Sequence, residues 1–559
     1  MGQEALQPDR LCESHIDLHD RQHFEIAFTY DASPVLVRPD GRVRFRVDAY
    51  FFLPPSLGVS ALSYGKDDFF DDVLSYLRFK TPDLSSEALA DPLNALSPLN
   101  VLSFNLKQLV ELPTPDPELE TSTIHEAKLL GCILIANWRE LRKQARTLVK
   151  TLSRFARPTP GFAEAIADLR LRLEAEHALL MRFRSLRRAY TDNQASLPPE
   201  LLDTLRVVDE YLTYRFDENL GKLHQVFASL GEAAAELEER LRWLGAYEAL
   251  YRQEEGFICL TNSDPQSFER YTYRTGALKK HLAQVLFLDV RTVREVRRFR
   301  GLVAALGAGL AAFWSTLGDR NINVQLHGIS TTLLILIVVT VYILKDRIKD
   351  FFKEYVATQV QRLLPDQRMT ITDPMTRQRI GSCRQTVRYE RKRRLAADIR
   401  RVREFTHTID LDEAREEEVL SYRHDMTLEA RRIHATHARR MHVKHILRYS
   451  VANLLRRLSD PNVEVSRFNP RTGRFEVVLA PKVYHLNVVF RVSAIGPDGR
   501  AADPVYHRLR LILNKDGIDR VEKVVHNKRM REIGQDHQPE ILERTDDPLL
   551  NEAEDLSPS

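Results

Sequence analysis

The sequence predicts an α+β, mostly helical chain in which a two-span membrane hairpin separates two folded regions. Three observations predict it: two uncharged apolar runs at mid-chain, long helical stripes before them, and alternating strand-like segments with turn signals after them. The 559 residues leave room for about three or four domains. Lys and Arg number 82 against 78 Asp and Glu, and 43% of residues are hydrophobic, which excludes a collagen-like, wholly disordered or polytopic membrane chain. Cys12, Cys132, Cys259 and Cys383 are too few for a disulfide scaffold and none stands in CxxC spacing, so reduced thiols in a reducing compartment are expected. The first twenty residues hold no apolar run of seven, which predicts no secretory signal, and Leu6 stands where a myristoylation signal needs Ser or Thr.

Residues 1–122 predict a small antiparallel sheet with a short helix and Pro-rich loops. Val43, Phe45, Val47, Ala49 and Phe51 alternate with Arg44, Arg46, Asp48 and Tyr50, after a turn at Pro39-Asp40-Gly41, and residues 23–29 offer a partner strand. Phe69, Phe70, Val73, Leu74 and Leu77 then read as one side of a short helix. Residues 123–300 predict a helical bundle or coiled coil, with helices at 123–156, 160–190, 198–229, 231–254 and 278–300. The third is the plainest: Leu201, Leu205, Val208, Leu212, Phe216, Leu220, Leu223 and Phe227 recur at three- and four-residue spacing.

The hairpin is assigned to 301–344. Residues 301–318 and 329–344 carry no charge, and as helices they would be about 27 and 24 Å long against a hydrocarbon core of about 30 Å. Arg291, Arg294, Arg297, Arg298 and Arg300 precede the first run, and Lys345, Arg347, Lys349 and Lys353 follow the second. That bias predicts both termini on the cytoplasmic side of the inner membrane. Gly301, Ala305 and Gly309, with Ala304, Ala308 and Ala312, form small-residue stripes suited to close helix packing, either within the hairpin or between copies. Residues 345–368 continue as a juxtamembrane amphipathic helix ending at Leu364-Pro365.

Residues 369–461 predict a basic, His-rich and mostly helical region. Its helix at 388–405 carries Arg391, Lys392, Arg393 and Arg394, candidates for contact with anionic lipid headgroups; with a net charge of +4 and no aromatic interleaving, nucleic acid is not an expected partner. His434, His437, His442 and His445 fall on one face of a helix, but they span about 16 Å along it, too far for one ion. Either close pair could lend two metal ligands, yet the neighbouring arginines repel a cation, so neither metal nor cofactor is expected. Residues 462–533 predict an antiparallel β-meander covered by a helix at about 426–457, and 534–559 an acidic disordered tail with Glu540, Glu543, Asp546, Asp547, Glu552, Glu554 and Asp555. FRVDA at 45–49 resembles FRVSA at 490–494, a match too short to argue duplication.

No catalytic motif occurs, and no residue earns a catalytic role. The reading that follows is an integral membrane anchor, scaffold or signal relay that holds two cytoplasmic regions at the lipid bilayer, self-associates and binds a protein partner. The alternatives are a membrane-associated enzyme acting on a phosphate-bearing substrate and a subunit of an oligomeric channel or transporter.

Overall fold

The computed structural model describes residues 12–32, 40–111, 116–152, 162–228, 234–260, 264–294, 364–405, 417–496, 500–501, 504–533 and 540–542, with isolated positions elsewhere. The chain divides into two compact units: Met1–Leu77 with Leu288–Thr436 and His442–Asn551, and Arg78–Phe287 with His437–Met441 and Glu552–Ser559.

The first unit is built on sheets. Strands β1 (Cys12–Leu18), β2 (His23–Asp31), β3 (Val43–Leu53) and β4 (Val73–Phe79) come before the long helices. After them come β5 (Asp289–Val293), β6 (Gln367–Thr372), β7 (Arg379–Arg391), β8 (Glu418–Leu428), β9 (His442–Ser450), β10 (Asn462–Asn469), β11 (Arg474–Pro481), β12 (Tyr484–Ala494), β13 (Val505–Asn514), β14 (Gly517–Arg529) and β15 (Glu540–Leu542). Nine strands form one sheet in the order β15-β14-β13-β12-β3-β8-β7-β6-β5, four form a second in the order β1-β2-β9-β4, and β10 with β11 makes a separate hairpin. The paired segments 45–49 and 490–494 lie side by side at the centre, with Phe45 opposite Ala494 and Ala49 opposite Phe490.

Period-two alternation explains the layers. Phe45 and Phe51 of β3 and Tyr422 of β8 point to the small sheet, where Tyr30 meets Phe45 at 4.9 Å between ring centroids and Tyr449 meets Phe51 at 5.3 Å. On the opposite face of the large sheet lies α9 (Ala397–Glu404), whose Ile399 and Val402 pack with Leu395 on Tyr50, Phe52, Val419, Val489 and Tyr506. Each such burial contributes about 1.5–3 kcal/mol. Arg508 of β13 is buried beneath that helix and donates to the carbonyls of Val402 and Phe405, so a cation closes the negative end of the helix. The short helices α1 (Lys66–Asp71), α10 (Ala430–Thr436) and α11 (Ala452–Leu455) complete this unit.

The second unit is helical: α2 (Ser86–Ala90), α3 (Pro98–Glu111), α4 (Pro117–Leu152), α5 (Phe162–Asp192), α6 (Pro199–Phe227), α7 (Ala235–Glu255) and α8 (Pro265–Ala283). The apolar stripe of α6 is buried along its length, from Leu201 to Phe227. Polar residues are buried beside it: Arg184 reaches Asp209 at 3.2 Å and Glu248 at 2.8 Å, and Arg187 reaches Asp209 at 2.9 Å. Such charges tolerate burial because each is paired and hydrogen-bonded.

The two-span hairpin expected at 301–318 and 329–344 is not supported, and with it fall the integral membrane anchor, the inner-membrane location and the membrane-bound alternatives. No helix among the described residues is long and apolar enough to cross a membrane. The uncharged runs, 18 and 16 residues, stop short of the about 20 that a spanning helix needs, and the first is largely Gly and Ala. Gly301, Ala304 and Ala308 lie outside the described residues, as does most of the juxtamembrane segment; Ala305, Gly309 and Ala312 are helical and exposed. The fold is a mixture of helix and several antiparallel sheets rather than mostly helical.

Other segments also change type. The basic helix expected at 388–405 is strand as far as Arg391 and helix only from Ala397, and the covering helix expected at 426–457 is the end of β8, α10 and β9. In both, a charged outward row hid the two-residue period.

Gly517 closes the β13–β14 hairpin at φ +144°, and a Cβ there would stand 2.3 Å from the Arg21 carbonyl oxygen. Gly517→Ala is therefore expected to lower unfolding free energy by about 2–4 kcal/mol, read from urea midpoints. An unchanged midpoint would show that this turn is not built as described.

Candidate functional site

Strands β3, β8 and β7 set three rows of polar side chains on the outer face of the large sheet. Arg46 stands opposite Asp425, which stands opposite Arg384; Asp48 opposite Arg423 and Thr386; Tyr50 opposite Ser421 and Arg388. Directly opposite residues share a face, so sequence alternation alone gathers Arg384, Arg388 and Arg423 around the hydroxyls of Thr386, Tyr50 and Ser421. All of these side chains except Arg46, with Glu390, Leu364 and Pro365, line a cleft of about 220 Å³.

The acids of the cleft are largely committed. Buried Asp48 accepts from Arg423 Nε at 2.7 Å and from Arg491 Nη2 at 2.8 Å, and Arg491 also reaches Asp398 at 3.0 Å. Burial alone would lower the pKa of Arg491, but its bonds to Asp48 and Asp398 outweigh burial and raise it. Asp425 accepts from Arg46 Nε at 2.7 Å, and Ser421 Oγ donates to Glu390 at 2.8 Å. Burial, then the neighbouring Asp48 charge, pushes the Tyr50 phenol up to about 12, so it keeps its proton at neutral pH. Arg384 is exposed and makes no side-chain hydrogen bond or ion pair among the described residues. The face thus offers a free guanidinium beside further donors, which suits an anion.

The inner faces of the same strands carry a buried polar row. Cys383 Sγ lies 3.2 Å from His424 Nε2, the His424 and His445 rings stand 4.4 Å apart, and Ser75 Oγ lies 2.6 Å from His445 Nε2. His445 Nδ1 is buried and has no hydrogen-bond partner among the described residues. Burial pushes His424 down to about 3, pushes His445 well down too, and raises the Cys383 thiol, so all three are neutral. No group of three or more His, Cys, Asp or Glu side chains among the described residues is placed to hold a metal ion.

The four histidines expected on one helix face are dispersed. His434 on α10 bonds the Ala32 carbonyl at 2.8 Å, and His442 at the start of β9 lies 3.7 Å from Asp31. His445 is buried in the sheet core, and His437 belongs to the helical unit, its ring 4.9 Å from Phe79. A strand turns residues three apart to opposite faces, so His442 and His445 cannot share a ligand. Arg391 ends β7, and Lys392, Arg393 and Arg394 follow it in a short turn, where Lys392 lies 3.7 Å from Glu417. Sequence reasoning missed Arg384 and Arg423 and took Arg388 as part of a basic helix; the signal was Cys383, Gln385 and Val387 alternating with Arg384, Thr386 and Arg388. No protein-family model matches the chain, and comparisons with curated proteins and with solved structures find no match.

His507, like His424, is pushed down to about 3 by burial, first, and by its neighbour His526. Both lie below the ordinary 6.5, so the unfolded chain takes up protons as pH falls through 6.5 while the folded chain resists until about 3. Stability is therefore complete above 6.5 and is lost on acidification. Between pH 7 and pH 5 each of the two is expected to remove about 2 kcal/mol, read from urea midpoints, and His424→Phe should remove its share of that slope. A flat profile over that interval would contradict the neutral, buried assignment.

Proposed function

We propose that this chain is a binding protein whose arginine-lined cleft holds a small ligand bearing ionised oxygens. The observation that carries the reading is Arg384: an exposed guanidinium without a partner among the described residues, on β7 opposite Asp425 of β8, two residues from Thr386, which stands opposite Arg423, and four from Arg388. A planar guanidinium donates two parallel N–H bonds to a carboxylate or phosphate, and adjacent hydroxyls fix the remaining oxygens. Asp48 and Asp425 support the reading indirectly, because they hold Arg423 and Arg46 in place rather than competing for the ligand as free charges. Binding rather than turnover is favoured because the cleft pairs no nucleophile with a base: Ser421 donates to Glu390, and the Tyr50 phenol stays protonated.

The probe is pyrophosphate, titrated calorimetrically into the full chain at low salt. One bound equivalent is expected, weakened on the order of tenfold by Arg384→Ala and a few-fold by Thr386→Val, with unfolding midpoints unchanged, since loss of one charge-assisted bond costs about 1.5–3 kcal/mol. Equal affinity of wild type and Arg384→Ala would remove the cleft from the function.

A further inference from the structure

The hairpin of β10 and β11 pairs with neither of the larger sheets. No residue of either strand is buried. Its register sets Phe468 opposite Phe475, Ser466 opposite Val477 and Glu464 opposite Leu479, so these six share one face. On that face Phe468 is 53% exposed, Phe475 79%, Val477 65% and Leu479 64%. The two phenyl rings stand 5.4 Å apart, next to the turn that Gly473 closes at φ +66°. The other face is more mixed, with Val463, Val465 and Val478 beside the Arg467–Glu476 ion pair. A two-stranded ribbon is marginal in water by itself, and a contiguous apolar patch on it marks an interaction surface.

We propose that this face docks on the same face of a second copy of the chain, ribbon on ribbon and antiparallel about a two-fold axis. Area and charge both favour a second copy. The four apolar side chains present on the order of 400 Å² on each copy, so two copies bury on the order of 800 Å². With Glu464, Ser466 and Arg471 at the rim, the contact approaches the about 1,000 Å² that a weak specific dimer needs. Glu464 stands toward the base of the ribbon and Arg471 in the turn at its tip, and neither has an ion partner among the described residues. A two-fold axis between Ser466 and Phe468 sets the tip of each ribbon over the base of the other. Each Arg471 then falls beside Glu464 of the second copy, and because the same pair forms twice the dimer closes. The ribbon takes no part in the cleft on the large sheet.

The test is sedimentation velocity on the full chain, from about 1 to about 100 µM. Wild type is expected to pass from monomer to dimer over that range, with a Kd on the order of micromolar. Phe475→Glu is expected to weaken the dimer by about tenfold or more, with the urea midpoint unchanged because the ring is exposed. Glu464→Arg and Arg471→Glu are each expected to weaken it several-fold, and the two together to restore it, because the reversed pair attracts again. A wild type that stays monomeric throughout, whether another segment or a different protein covers the ribbon, would overturn the proposal. So would a dimer that Phe475→Glu leaves unchanged, or a double reversal weaker than either single one.

Discussion

The register of β7 and β8 against β3 is the constraint on which the rest of the first unit depends. The side-chain period of a strand is two, so a slip of one residue exchanges the faces of the sheet. In the observed register Cys383, His424 and Tyr422 are buried, while Arg384, Arg388 and Arg423 look outward. A slip would drive three guanidiniums into an apolar layer, each costing several kcal/mol, so the same packing that makes the core also fixes the cleft. Asp48 locks the outer side, since one buried carboxylate joins Arg423 of β8 to Arg491 of β12 across β3.

Arginine plays three physically distinct parts in this molecule. Arg508 is buried and satisfied by backbone carbonyls at the end of α9, so it acts as a cap. Arg184 is buried and matched by Asp209 and Glu248, a network that fixes how α5, α6 and α7 meet. Arg384 is neither buried nor matched among the described residues, and it is the guanidinium on which the proposed anion binding rests.

Legibility in the sequence followed the length and cleanness of the period. The Val43–Phe51 alternation and the Leu201–Phe227 stripe correspond to β3 and α6, because each keeps one apolar face over many residues. The stretch through Arg388–Arg394 did not, because a polar outward row next to a charged turn imitates a solvated helix. The histidine run misled for a related reason: four His within twelve residues suit a helix face, yet α10, a connecting segment and β9 divide them. The uncharged runs at 301–344 with their basic flanks suggested lipid, and no helix among the described residues is long and apolar enough to bear that out. The cleft was illegible because its three arginines come from strands that are adjacent only after β7 pairs with β8.

The most direct measurement is an NMR titration of the arginine Nε–Hε resonances of the full chain with pyrophosphate. If the sheet register builds an anion cleft, the resonances of Arg384 and Arg423 shift together and saturate at one equivalent, while that of buried Arg508 stays still. Shifts spread evenly over the exposed arginines, or none at Arg384, would contradict the account.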